Sequence, residues 1–111
     1  AIGSPLTIFW GIGHGQSVGV TLTSFLKWII HAIPHKLSAL WRALGVSNLD
    51  EAVARIDQIM DRCGLETRLR GLGIGEDDVD LVLDNIRWDR MDTLPRPFDR
   101  DDADKLLRGL V

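Results

Sequence analysis

Apolar positions recur along this chain in short helical stripes, with none of the in-and-out alternation that builds hairpins. Val18, Leu22, Phe25 and Ile29 share one face of a helix predicted from about His14 to Ala32. It ends at Ile33-Pro34, because a residue preceding proline avoids the helical region. Pro34 opens the next helix, in which Leu37, Leu40, Trp41 and Leu44 follow helical spacing until Gly45. Asn48 or Ser47 caps a third, whose stripe of Leu49, Val53, Ile56 and Met60 ends at Cys63-Gly64, with Glu51 completing a capping box. After a turn from Glu66 to Leu72 and the Gly73-Ile74-Gly75 break, Glu76, Asp77 and Asp78 place negative charge where a helix start favours it. Val79, Val82, Leu83 and Ile86 are its buried side. Leu94-Pro95-Arg96-Pro97-Phe98 reads as an extended linker, and Asp99 caps a last helix that buries Ala103, Leu106 and Leu107. Leu6-Thr7-Ile8-Phe9-Trp10 stays open between a strand and a buried helical turn. The pattern predicts an all-α, multi-helix bundle of individually marginal helices held by mutual burial.

Length and charge narrow this picture. At 111 residues the chain is one domain with a single core. A net charge of -3 removes the broad basic surface that binding to nucleic acid or anionic lipid requires. All 13 basic and 16 acidic side chains lie from Lys27 onward, so the amino-terminal quarter is built for burial. It is not a membrane span, because Gly11, Gly13, His14, Gly15, Gln16, Ser17 and Gly19 interrupt its middle, and no basic region precedes it as in a signal peptide. A helix buried at the centre of a soluble protein is the expectation. The single cysteine, Cys63, rules out an internal disulfide and points to a reducing, cytoplasmic setting with a buried or incidental thiol. Buried-type sequence at Ala1-Ile2-Gly3-Ser4-Pro5 suggests the carboxy-terminal part of something longer.

The candidate chemistry centres on Gly11-Ile12-Gly13-His14-Gly15. Glycines at a helix start invite a phosphate loop, but the third glycine comes too early for the dinucleotide fingerprint and no acidic residue ends a second strand downstream. His14 has two readings: a hydrogen-bonded core histidine, or a metal ligand whose glycine neighbours leave room for other ligands. A site needs three or four protein ligands, and the residues around His14 offer one. His31 and His35 are spaced four apart, but Pro34 breaks the helix that would align them, so they read as solvated or capping residues. The carboxylates from Glu76 to Asp84 and from Asp99 to Asp104 lack a calcium-loop pattern and read as helix starts and solvated faces. Of the four tryptophans, Trp28, Trp41 and Trp88 read as packing residues, while Trp10 adjoins the glycine bend.

The order of these features carries a resemblance. An A-I-x-x-P-L-T opening, a G-I-x-H-G bend, a long uncharged helix, ALGV before an acidic-capped helix, LGI before EDDVD and PRPF-DRDDADKLL at the end occur in sequence over the whole chain. The chain thereby resembles the carboxy-terminal helical domain of the iron-containing alcohol dehydrogenase family, which has a dehydroquinate synthase-like fold. The resemblance implies that residues 1–111 are a fragment whose partner is a missing amino-terminal α/β domain binding NAD or NADP. It also implies a metal, Fe(2+) or Zn(2+), in the cleft between domains, held by an Asp and a His one helical turn apart and by two histidines fourteen positions apart. His14 matches the last of these, and counting back places the preceding histidine immediately before Ala1. Three of four ligands would then lie outside the chain, and the isolated chain would be inactive.

The implied activity interconverts a small alcohol and its aldehyde or ketone. Phe9 and Trp10 would line the substrate side, no catalytic residue or nicotinamide contact is carried over to this chain, and a homo-oligomer is compatible with the family. Gly13 stands where many relatives have proline, and Ser4 where some have a histidine close to the reacting carbon, so that histidine's part in proton transfer has no counterpart here. The opening also resembles relatives that reduce small phosphonate-bearing aldehydes. The rival expectation, from another class, is a non-catalytic helical interaction module with a structural His14.

Overall fold

The segment left open between strand and helix is a helix. In the computed structural model, which describes residues 1–111, α1 runs Gly3–Trp10. Strand geometry would have put Leu6 and Ile8 on one face. Instead Ile2, Pro5 and Leu6 are buried and Ile8 is 71% exposed, which is helical spacing. Pro5 is tolerated because it falls in the first turn, where amide protons have no internal acceptor. Gly11 ends α1 with φ +67°, its N–H donating to the Thr7 carbonyl at 3.1 Å, a left-handed cap that only glycine adopts without strain.

The single helix predicted from His14 to Ala32 is two helices and a turn. α2 (His14–Gly19) stops at Val20-Thr21, α3 (Leu22–Ile29) follows, and a 3₁₀ turn covers Ile30–Ala32. A glycine followed by two β-branched residues is a weak stretch of helix. The Thr21 hydroxyl donates to the Val18 carbonyl at 3.2 Å, competing with the backbone ladder. The expected burial of this segment is also only partial: Val18 and Leu22 are about half exposed, lining an open cavity with Met91 and Leu94.

A 3₁₀ turn at Pro34–Lys36 leads into α4 (Leu37–Leu44), none of whose residues is fully buried. α5 (Leu49–Arg62) begins as its capping residues predict: Asn48 Oδ1 accepts from the Glu51 N–H at 2.9 Å. The Glu51 carboxylate reaches back to the Ser47 N–H at 2.8 Å, one residue earlier than in a simple box. α6 (Val79–Asp84) follows a 3₁₀ turn at Glu76–Asp78. α7 (Arg100–Arg108) carries the reciprocal box, with Asp99 accepting from the Asp102 N–H at 2.9 Å and Asp102 from the Asp99 N–H at 3.3 Å.

The main core joins α1, α6 and α7 through Leu6, Leu69, Ile74, Val79, Leu83 and Leu107, each essentially inaccessible to solvent. Leu26, Ile30, Ala52 and Met60 form a smaller buried group where α3 meets α5. Arg108 donates to Asp104, Glu76 and Asp80, tying the end of α7 to the start of α6, and the bond to Glu76 foremost raises its pKa above the ordinary arginine value. The proline-rich stretch has no regular structure but is fastened. Phe98 stacks on Phe25 at 5.0 Å and meets the Trp28 edge at 4.9 Å, while the Arg96 guanidinium lies 4.3 Å over the Trp28 ring. Cys63 is exposed, which removes the buried reading of that thiol. No helix is long and apolar enough to cross a membrane.

Candidate functional site

The glycine-rich bend joins two helices packed against each other as a hairpin. Gly3 on α1 lies so close to α2 that a Cβ there would sit 2.8 Å from the Ser17 carbonyl oxygen. Ser17 is wholly buried. Its hydroxyl donates to the His14 carbonyl at 2.8 Å and accepts from the Thr7 hydroxyl at 3.2 Å, so both helices close on one polar pair. Because the atom met is backbone, Gly3→Ala is expected to push the helices apart and cost about 1–3 kcal/mol, as overpacking does. Urea unfolding would measure it, and an unchanged midpoint would contradict the close approach.

His14 opens α2 at the mouth of this hairpin. Its ring is exposed and makes no hydrogen bond within these 111 residues. Cβ atoms placed on Gly13 and Gly15 would meet nothing within 4 Å, so no packing occupies the flanks of the bend. Phe9 and Trp10 are the last two residues of α1, across the bend from His14, with their rings edge to face at 6.0 Å. Phe9 is 45% exposed; Trp10 also leans on the main core. The structure therefore places the three sequence-predicted site residues at one end of one hairpin, on an open surface. The cavities of the fold lie elsewhere. The one nearest in sequence, about 320 Å³, is lined by Ala1, Ile2, Val18, Leu22, Met91 and Leu94 among others.

As a donor set, the hairpin fits one corner of a metal site and not a whole one. A free imidazole with unobstructed flanks is what a shared ion requires, yet no three His, Cys, Asp or Glu side chains of the chain come together to hold an ion. His31 and His35 are both exposed, as expected of solvated residues, and do not join His14. Sequence reasoning passed over Gln16, whose side-chain amide donates to the Glu66 carbonyl at 2.8 Å and accepts from the Glu66 N–H at 2.7 Å. A glutamine inside an otherwise uncharged segment was the available signal.

Comparison of the sequence with known families decides the kinship. The profile of the Fe-containing alcohol dehydrogenase family, C-terminal, matches residues 1–111. The chain belongs to the Fe-containing alcohol dehydrogenase family. The resemblance and the all-α bundle inferred from the sequence both hold. Among curated Fe-containing alcohol dehydrogenase relatives, phosphonoacetaldehyde reductase of Streptomyces viridochromogenes is 31% identical over 121 residues, covering 96% of this chain. The chain spans 29% of that relative's length. No solved structure matches it.

Proposed function

We propose that this chain is the carboxy-terminal helical part of a metal-dependent NAD(P)-linked reductase that interconverts a small aldehyde and its alcohol. The observation that carries the proposal is His14: an exposed, unpartnered imidazole between two unobstructed glycines, in a chain whose family is defined by a metal. His14 would hold an iron or zinc ion through one ring nitrogen, with the remaining ligands and the α/β nicotinamide domain supplied by the rest of the polypeptide. When bound, the ion supplies Lewis-acid polarisation of the substrate oxygen and the nicotinamide exchanges the hydride.

The chain's own residues do the positioning. Gly13 and Gly15 keep the approach to the ring open, and the Thr7–Ser17–His14 hydrogen bonds fix the backbone from which the ring projects. Phe9 and Trp10 would present apolar surface to the substrate side once the rest of the polypeptide closes over it. The relative's name makes a phosphonate-bearing aldehyde the first substrate to try. The 111 residues alone would be inactive, since they hold one ligand and no nicotinamide site.

The test is metal analysis of the complete gene product, followed by oxidation of NADH and NADPH with phosphonoacetaldehyde and with a plain short-chain aldehyde. Stoichiometric iron or zinc with aldehyde-dependent turnover is expected. A metal-free, inactive gene product under conditions where the Streptomyces reductase is active would sink the reading in favour of a helical interaction module.

A further inference from the structure

We infer that Gln16 is a positioning residue for His14, acting through a two-bond latch to the backbone of Glu66. The inference rests on His14 being a metal ligand, as proposed above. α2 is only six residues long and is cut off from α3 by the break at Val20-Thr21, so its direction is not inherited from a longer helix. Two contacts hold its first turn, and Gly19 rests on Met60 at the other end. On one side Ser17 closes against Gly3 and Thr7 of α1. On the other the Gln16 amide pairs with both main-chain groups of Glu66, fifty positions away, and no other hydrogen bond joins α2 to anything beyond α3.

The anchor itself is held. The Leu65 N–H donates to the Met60 carbonyl at 2.9 Å, the Leu69 N–H to the Leu110 carbonyl at 2.9 Å, and Arg68 Nη1 to the Gly109 carbonyl at 3.1 Å. The Glu66 side chain lies across Gly71, leaving no room for a Cβ there, so its backbone is free to face Gln16. The latch thus ties the first turn of α2 to the ends of both α5 and α7. Without it, the first turn of α2 keeps only its attachment to α1, while the far end stays seated at Gly19 against Met60, so that turn can rock about the Gly3–Ser17 contact and swing the His14 ring. An ion shared with ligands on other elements tolerates little such swing, since residues that orient a ligand tune affinity without touching the ion.

Gln16→Met keeps the side-chain length and removes both hydrogen bonds. In the complete gene product loaded with Co(2+) as a spectroscopic probe, it is expected to weaken metal binding about tenfold, the low end for loss of a residue that orients a ligand. The visible cobalt bands should shift, whatever the loss of the two hydrogen bonds does to the thermal midpoint of the metal-free protein. A merely structural glutamine would lower the midpoint and leave the bands in place, and that result overturns the inference. Unchanged affinity and bands in Gln16→Met, with metal lost in His14→Ala, overturn the latch and leave the ligand assignment standing; metal retained in His14→Ala removes both. Should Gln16→Met fail to fold, Gln16→Asn keeps the amide but is one methylene too short to make both bonds. An intermediate loss of affinity with shifted bands supports the latch, and wild-type values overturn it.

Discussion

His14→Ala in the complete gene product is expected to remove bound metal and turnover together, each by more than the roughly 10–100-fold that loss of a residue merely orienting a ligand costs. The substitution is clean because the ring is exposed and bonded to nothing in the chain. What His14 gives to the fold is its carbonyl, which accepts the Ser17 hydroxyl and survives in alanine. Alanine at a helix start costs little intrinsically. The metal-free variant should therefore unfold at the wild-type temperature while its iron or zinc content falls to background, which separates a ligand from a structural histidine. A variant with full metal content and activity would end the assignment.

Leu6→Ala is expected to be the most damaging of the stability changes. Leu6 is completely buried in the main core, and truncation there leaves a cavity bounded by elements that cannot collapse into it. Such substitutions cost about 2–5 kcal/mol, which in a domain of this size lowers the thermal midpoint by roughly 10 °C or more. Circular dichroism melting would measure it, and a shift within a few degrees would mean that α1 is not part of the core. Because α1 carries Phe9 and Trp10 at its far end and holds α2 through Gly3 and Thr7, the same variant should also loosen the hairpin that presents His14.

Much of the architecture could be read from the residues because it is locally encoded. Asn48, Glu51 and Asp99 each announce a helix start, and each makes its bond. The stripe of Val79, Val82, Leu83 and Ile86 is buried as its spacing predicts. Trouble came where tertiary contacts compete with periodicity. Leu6 to Trp10 satisfies both strand and helix patterns, and only the burial of Leu6 in the main core breaks the tie. The continuity of α2 and α3 looked secure from Val18, Leu22, Phe25 and Ile29. The break at Val20-Thr21 depends on burying those two residues, which spacing alone does not foretell. At the site, the prominence of His14 was legible from its glycine neighbours, but its exposure was not. Gln16 stands out as a polar residue in an uncharged segment, but its partner Glu66 lies fifty positions away and is not named by any local pattern.

The division of the interior into a main core and a smaller group has a consequence for motion. α4 buries no residue fully, and α5 is fastened mainly through Ala52 and Met60, outside the cluster that unites α1, α6 and α7. Elements with so little buried surface open at a lower free energy than the whole. The α4 backbone should accordingly trade its amide hydrogens for deuterium well before the amides of α6 and α7. The arm from Leu37 to Arg62 is thus expected to open before the hairpin bearing the imidazole does.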